Sequence, residues 1–235
     1  MTADPLESPS RRFVVWLAVI VAAAAAVRLG YVWLDRRHVG LEFNDGIYYH
    51  HGANVLADGH GFVNPLEQMA NGRAEPNADH PPLYLVYLAG FSFLGLRTVT
   101  EHLVVSTFLG IAAVAVAGLA GRRIAGERVG LLAAVLVAVY PNTWRYDGAL
   151  LSEGGVILTV LVIVWLSYRF WDRPSPGRLA AVGAVVGLGT LARAELFLLL
   201  PLLVVPLAPR VRARAWRPRI GWAVLAAVVS GAVLV

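Results

Sequence analysis

Residues 13–34 read FVVWLAVIVAAAAAVRLGYVWL, an apolar stretch with a single charged side chain, Arg28. A helix of roughly 20 such residues crosses the hydrocarbon core of a bilayer. The stretch follows Arg11 and Arg12, as a secretory signal would, but it is too long for a signal and has no clear small-residue cleavage site. We therefore predict a membrane helix that the protein retains.

Similar apolar runs recur along the chain, which is 58% hydrophobic and has a mean hydropathy of +0.65. This exceeds what a water-facing surface permits. Further crossings are predicted at residues 102–120, 129–144, 150–171, 179–192, 196–208 and 220–235. Residues 83–96 are apolar but short, and we expect an interfacial helix there. The predicted fold is an all-α polytopic membrane bundle of about seven transmembrane helices with interfacial helices in the first outer loop.

The domain organisation follows from these spans. Residues 1–12 are predicted as a cytoplasmic tail, residues 13–235 as one transmembrane domain, and residues 35–100 as its outer loop. Because the chain stops inside the apolar run 220–235, we expect more membrane helices in a full-length protein. The chain has no cysteine, which excludes disulfides and thiolate metal sites.

The charge distribution sets the predicted orientation. With the N-terminus inside, 13 of the 20 arginines and only 4 of the 15 acids fall on the cytoplasmic side, as the positive-inside rule requires. The net charge of +5 therefore indicates a lipid bilayer as partner and not nucleic acid. We predict a multi-pass plasma-membrane protein whose outer loop carries the polar residues. A crossing at 83–96 would break the rule, because Arg122, Arg123 and Arg128 would face outward.

The first polar cluster is LEFNDGIYYHH at residues 41–51. A carboxylate beside a membrane is easily desolvated, which raises its pKa toward a useful range, so Asp45 is the candidate general base. An alternative is that Asp45 caps the following helix and that Tyr48 and Tyr49 belong to an interfacial aromatic belt.

The second cluster is Asp79-His80-Pro81-Pro82-Leu83, where two prolines start a helix whose positive N-terminal end suits a phosphate. A rigid start to an interfacial helix explains the prolines equally well. A divalent metal held by His80 with Asp45, His50 or His51 is a further alternative, although no spacing here is specific for a metal.

Two more clusters begin or end the later spans. Asp147 and Glu153 lie at the outer end of the fourth crossing, where an ionisable group is either a helix-dipole partner or part of a polar site. Arg193 is suited to phosphate, with a local ion pair to Glu195 as the alternative. Arg28 is explained by snorkelling to the interface.

Taken in order, these clusters resemble the motifs of the GT-C-fold membrane glycosyltransferases related to protein O-mannosyltransferases and aminoarabinose transferases. The resemblance is carried by Asn44-Asp45-Gly46, His80-Pro81-Pro82-Leu83, Leu151-Ser152-Glu153 and Ala192-Arg193-Ala194-Glu195. Gly46 stands where many members have a second acid, and Ala194 where proline is common.

The resemblance implies an enzyme that transfers a sugar from a polyprenyl-phosphate donor to a protein, glycan or lipid acceptor at the outer face, with inversion. It assigns Asp45 as general base, Glu153 to position acceptor or sugar hydroxyls, and His80 and Arg193 to bind the lipid phosphate. Tyr48, Asp79 and Asp147 complete the predicted substrate-binding set. The resemblance assigns no definite cofactor, and a divalent metal stays the alternative given above.

Two other functions remain as alternatives. A non-catalytic binder of polyprenyl phospholipid would keep His80 and Arg193 and be indifferent to loss of Asp45. A transporter would show inverted repeats and charged residues deep in several helices, whereas the middle of most spans carries none.

Overall fold

The computed structural model describes residues 8–41 and 44–207, and all regular secondary structure within them is helical. The α-helices that position the site are α1 (Arg11–Leu34), α2 (Asn44–Ala57), α3 (Pro65–Asn71), α4 (Pro82–Phe93), α5 (Val99–Ala125), α6 (Glu127–Val139), α7 (Pro141–Asp147), α8 (Glu153–Asp172) and α9 (Pro176–Ala192). The all-α prediction is confirmed. The predicted last crossing, 220–235, lies outside the described residues.

Within the described part of the chain, three helical segments are long and apolar enough to cross a membrane: Arg11–His38, Val99–Ala125 and Glu153–Asp172. Shorter apolar helices occupy Pro82–Phe93, Pro176–Ala192 and Ala194–Leu203. The segment predicted to lie at the interface is therefore a short helix, α4. Seven crossings remain a prediction.

Two predicted spans have different limits from those read in the sequence. The run 129–144 is interrupted at Tyr140, which is extended (φ −68°, ψ 115°) because Pro141 follows it and disfavours a helical conformation in the preceding residue. The next span starts at Glu153 and not at Leu150, whose φ of +52° lies in the left-handed region and cannot continue a helix.

The described part of the predicted span 196–208, which ends at residue 207, is also irregular. It consists of a 3₁₀ turn at Ala194–Leu198, a π-helical turn at Leu200–Val204 and one α-turn at Val205–Leu207. Pro201 and Pro206 supply no backbone N–H, so a continuous ladder of α-helical hydrogen bonds is not available here.

Helix α5 forms the centre of the bundle, in contact with α1, α6 and α8. Small residues allow the close approach of α5 and α6. A Cβ on Gly130 of α6 would stand 2.5 Å from the carbonyl oxygen of Gly118 on α5, so any larger residue would force the two backbones apart.

The two ends of the bundle differ in chemistry. At one end, the backbone N–H and hydroxyl of Ser10 each donate a hydrogen bond of 2.7 Å to Glu127, and Arg123 forms an ion pair of 2.8 Å with Asp172. We call this the basic end, because Arg122, Arg123 and Arg128 lie there. Helices α2 and α4 pack against each other at the opposite end, which we call the site end.

Candidate functional site

Asp45 and His80, which are 35 residues apart in sequence, meet at the site end. Asp45 lies in the first turn of α2, and His80 precedes Pro81 and Pro82, the N-cap and first residue of α4. The distance between Nε2 of His80 and Oδ1 of Asp45 is 3.4 Å. The Asp45 side chain is 60% exposed, so its carboxylate remains open to a ligand.

Two tyrosines of α2 form the wall behind His80. The imidazole stacks on Tyr48, with ring centroids 4.0 Å apart, and meets the edge of Tyr49 at 5.4 Å. Both tyrosines are buried in a cluster with Tyr84 and Leu85 of α4. The alternative that they belong to a lipid-facing aromatic belt is therefore wrong, because α4 covers them.

Asp79 closes a local turn before His80. Its backbone N–H donates to Oδ1 of Asn77 at 2.7 Å, and its carboxylate accepts from Nδ2 of Asn77 at 2.8 Å. The hydroxyl of Tyr48 donates to the same Asn77 oxygen at 3.2 Å. Asn77, which the sequence reading did not single out, thus connects Asp79 to the site through Tyr48.

Gly46 allows α2 to rest on the turn that precedes α8. A Cβ at this position would stand 2.6 Å from the carbonyl oxygen of Ala149, which is backbone and cannot move aside cheaply. This contact explains why the second acid expected from the resemblance is missing after Asp45. Any side chain at Gly46 would push the helix away from the turn.

Glu153 and Arg193 form a second pair at the site end. Nη2 of Arg193 donates to Oε1 of Glu153 at 3.1 Å, with the two side chains 48% and 31% exposed. Arg193 follows α9 in an extended conformation, and its side chain reaches the first residue of α8. The alternative of a local ion pair between Arg193 and Glu195 is therefore wrong.

Tyr49 links the two pairs. Its phenol lies near Ser152 and within electrostatic range of Asp45, Glu153 and Arg193. Burial raises the pKa of Tyr49, so the ring stays neutral and its hydroxyl keeps its proton at neutral pH. The structure thus gathers Asp45, His80, Glu153 and Arg193 around one buried tyrosine that the sequence reading did not predict.

Arg28 and Asp147 lie away from solvent in the interior of the bundle. Their side chains form an ion pair of 3.1 Å, and Nη2 of Arg28 donates to the hydroxyl of Thr143 at 3.2 Å. The prediction that Arg28 snorkels to the interface is wrong, because a buried partner is available. The prediction that Asp147 binds substrate is also corrected: at 1% exposure it has no access to a ligand.

His50, an alternative metal ligand in the sequence reading, belongs to a buried chain of hydrogen bonds. Its Nδ1 lies 3.1 Å from Nδ1 of His102, whose Nε2 lies 2.9 Å from the hydroxyl of Ser92. Burial, with repulsion from His102 and His51, lowers the pKa of His50 to about 4. Residues 8–41 and 44–207 contain no group of three or more His, Cys, Asp or Glu side chains that could hold a metal ion.

An apolar cavity of about 190 Å³ opens beside the two pairs. Leu83, Tyr84 and Tyr87 of α4 line one side, and Leu109 of α5 and Leu158 of α8 line another. Ser152 and Ala192, which also line the cavity, are the residues immediately before Glu153 and Arg193. The charged side chains of Glu153 and Arg193 thus lie next to an apolar cavity, as expected of a site for an amphipathic ligand.

Comparison with protein families identifies the chain. The sequence model of the family described as dolichyl-phosphate-mannose-protein mannosyltransferase matches residues 79–235, more than half of the protein. The chain belongs to this family. No curated protein and no solved structure matches it. The match confirms the resemblance to GT-C-fold glycosyltransferases seen in the motifs.

Membership of the dolichyl-phosphate-mannose-protein mannosyltransferase family supports a membrane glycosyltransferase that uses a lipid-linked donor. The matched region contains His80, Glu153 and Arg193, whereas Asp45 and Tyr48 precede it. The structure joins these two parts of the chain through the contacts of Asp45 and Tyr48 with His80.

Proposed function

We propose that this protein is an inverting glycosyltransferase that moves a sugar from a polyprenyl-phosphate donor to an acceptor hydroxyl at the outer face of the membrane. One observation carries the proposal: the Asp45–His80 and Glu153–Arg193 pairs flank Tyr49 at the edge of an apolar cavity. This arrangement offers a base, a phosphate-binding cation and space for a hydrocarbon chain in one place.

Asp45 acts as the general base. Its carboxylate takes the proton of the acceptor hydroxyl while the oxygen attacks the anomeric carbon of the donor sugar. The bond from that carbon to the phosphate oxygen breaks, and polyprenyl phosphate leaves with the bonding electrons. Because attack comes from the side opposite to the leaving group, the anomeric configuration inverts. His80, 3.4 Å from Oδ1, keeps the exposed carboxylate in place.

Arg193 and His80 bind the donor phosphate. The guanidinium of Arg193 is permanently charged and matches phosphate oxygens with a fork of N–H donors, so it stabilises the charge that develops on the leaving phosphate. Glu153 orients this fork through its hydrogen bond of 3.1 Å and offers its other oxygen to a sugar or acceptor hydroxyl. The N-terminus of α4, directly after His80, adds positive potential.

The apolar cavity receives the first part of the isoprenoid chain. Its lining by Leu83, Leu109 and Leu158 matches hydrocarbon. Ser152 and Ala192, which also line it, directly precede Glu153 and Arg193 in the chain. A lipid bound here has its phosphate between His80 and Arg193 and the remainder of its tail in the bilayer. This division of polar and apolar surface suits a lipid-linked sugar better than a soluble nucleotide sugar.

The test uses the full chain in nanodiscs, labelled polyprenyl-phosphate mannose as donor and a native membrane extract as the source of acceptor. We expect Asp45→Asn to reduce release of polyprenyl phosphate by about 10² to 10⁴-fold, the usual contribution of general-base catalysis, while donor binding is unchanged. The matched control is Asp58→Asn, which removes another exposed carboxylate, the one paired with Arg97, and is expected to keep full turnover.

The same measurement distinguishes the enzyme from the non-catalytic alternative. A chain that only binds polyprenyl phospholipid would show donor binding without turnover in the unmodified protein, and Asp45→Asn would change nothing. Turnover retained in Asp45→Asn would remove Asp45 as the base.

A further inference from the structure

A second cavity, of about 390 Å³, lies beside the turn on which α2 rests. It is larger than the apolar cavity and is lined by polar groups from two places in the chain. Tyr31 and Arg36 come from the end of α1 and the turn after it, and Asn142, Arg145 and Tyr146 come from α7. Ala149 and Leu151 complete the lining.

The electrostatic character of this cavity is positive. Two guanidinium groups, two phenols and one amide line it, and no carboxylate is among the lining residues that the structure describes. Nε of Arg36 donates to the carbonyl oxygen of Gly148 at 2.8 Å, which fixes this side chain against the turn. Arg145 is exposed and, within residues 8–41 and 44–207, has no hydrogen-bond or ion-pair partner.

This set of donors suits one class of ligand. An unpaired guanidinium offers a planar fork of N–H groups that matches the oxygens of a phosphate or carboxylate. The Tyr146 hydroxyl and the Asn142 amide add uncharged donors beside it. Apolar ligands would leave these groups without partners, and cations would be repelled.

The cavity adjoins the proposed catalytic base through a shared residue. Ala149 lines the cavity, and its carbonyl oxygen is the atom that Gly46, the residue after Asp45, approaches so closely. The Glu153–Arg193 pair, by contrast, is linked to Asp45 through Tyr49, whose phenol lies within electrostatic range of all three side chains. The residue next to Asp45 therefore contacts the lining of the basic cavity, while Tyr49 lies near both Asp45 and the Glu153–Arg193 pair.

We propose that the basic cavity binds an anionic group of the acceptor, a phosphate monoester or a carboxylate, and so directs the acceptor hydroxyl toward Asp45. This rests on the proposed function, in which the acceptor approaches Asp45 from the side away from the donor phosphate. The same chemistry could come from the phosphate headgroup of a bilayer lipid, and the experiment separates the two sources.

The experiment measures binding of glycerol 3-phosphate to the full chain in phosphatidylcholine nanodiscs by calorimetry, with glycerol as the uncharged comparison. We expect saturable binding of the phosphate compound alone. Loss of a charge-assisted hydrogen bond in Arg145→Gln should weaken this binding by at least about tenfold. The matched control is Arg73→Gln, which removes an exposed arginine of the loop between α3 and α4 that is not part of the lining.

Absence of binding, or equal binding by Arg145→Gln and Arg73→Gln, overturns the anion site. Nanodiscs that contain phosphatidylglycerol provide the second arm: if this lipid suppresses glycerol 3-phosphate binding to the unmodified protein and to Arg73→Gln alike, the occupant is a lipid headgroup and the acceptor assignment is overturned. Binding of glycerol 3-phosphate is also measured in Asp45→Asn. If binding persists there, the anion site stands even if Asp45 proves not to be the base, so the two proposals can fail separately.

Discussion

Nε of Arg28 lies 3.1 Å from Oδ2 of Asp147, a residue 119 positions later in the chain, and both side chains are almost completely removed from solvent. The pair ties α1 to the last residue of α7, directly before the turn that carries Ala149. Glycines leave room for it: a Cβ on Gly154 would stand 3.0 Å from Oδ1 of Asp147. The ion pair therefore fixes the position of the turn between the two cavities.

Removal of Arg28 should destabilise the fold. Arg28→Met leaves the Asp147 carboxylate buried without its partner, and we expect a loss of about 3 to 5 kcal/mol in the free energy of unfolding. The double substitution Arg28→Met with Asp147→Leu removes both charges and should recover much of this loss. Denaturant unfolding in detergent measures the free energy of unfolding of the unmodified protein, the single variant and the double variant.

The matched control for this prediction is Arg97→Met, which breaks the exposed ion pair with Asp58. An exposed pair contributes at most about 1 kcal/mol, so a small effect is expected. Equal losses for Arg28→Met and Arg97→Met would mean that the buried pair has no special weight in stability.

Gly46→Ala should lower stability and activity together. The added Cβ meets the Ala149 carbonyl oxygen, so α2 must shift, at a cost of about 1 to 3 kcal/mol, and Asp45 moves with it. Gly90→Ala in α4 is the control, since a Cβ there meets nothing within 4 Å. Thermal unfolding and donor turnover are measured for both variants, and an unchanged Gly46→Ala protein would contradict the close contact.

Glu153 and Arg193 should behave as a coupled pair in donor binding. Arg193→Lys keeps the charge but loses the fork, so we expect weaker donor affinity, by about tenfold, in a direct binding assay. A double-mutant cycle of Glu153→Gln and Arg193→Gln should give a coupling energy of about 0.5 to 3 kcal/mol. Strictly additive effects would indicate that the hydrogen bond between them does not assist the donor.

Acid should destabilise the protein through His50. Its pKa in the folded state is about 4, below the ordinary value of 6.5, so the unfolded chain takes up the proton first as the pH falls. This contribution to stability is present above pH 6.5 and is lost as the pH falls from 6.5 toward 4. Unfolding midpoints across this range give the slope.

His50→Gln should make that slope less steep, because it removes one titrating group, whereas His51, whose pKa burial also lowers, and the buried His102 remain. His60→Gln, which changes an exposed histidine in the same part of the chain, should leave the slope as it is. A slope that is the same in all three proteins would assign the pH dependence to other groups.

Several features of this protein were predictable from local sequence. The apolar run 13–34 predicted α1, and the prolines after His80 predicted the start of α4, because hydropathy, helix length and proline geometry act over a few residues. Two predicted span limits were wrong, also for local reasons. Pro141 interrupts the run 129–144, and Leu150, in the left-handed region, cannot start the next helix, although hydropathy includes both residues in the spans.

The residues that sequence reading missed or misjudged are those whose role depends on a distant partner. In the sequence, Tyr49 was interpreted with Tyr48 as part of an interfacial aromatic belt. Arg28 was interpreted as an isolated charge near a helix end. A buried ion pair does have a usable sequence signal: an arginine in one apolar helix and an aspartate near the same end of another. A single buried charge without a partner is energetically costly, so two such charges are expected to pair.

Contiguous residues were enough to predict an all-α membrane chain of the mannosyltransferase type, because apolar length and short ordered motifs are local properties of a sequence. The pairing of charges depended on the three-dimensional fold: Asp45 pairs with His80, Arg193 with Glu153, and Arg28 with Asp147. These residues are 35 to 119 positions apart, and the packing of the helices, not spacing along the chain, brings them within hydrogen-bonding distance.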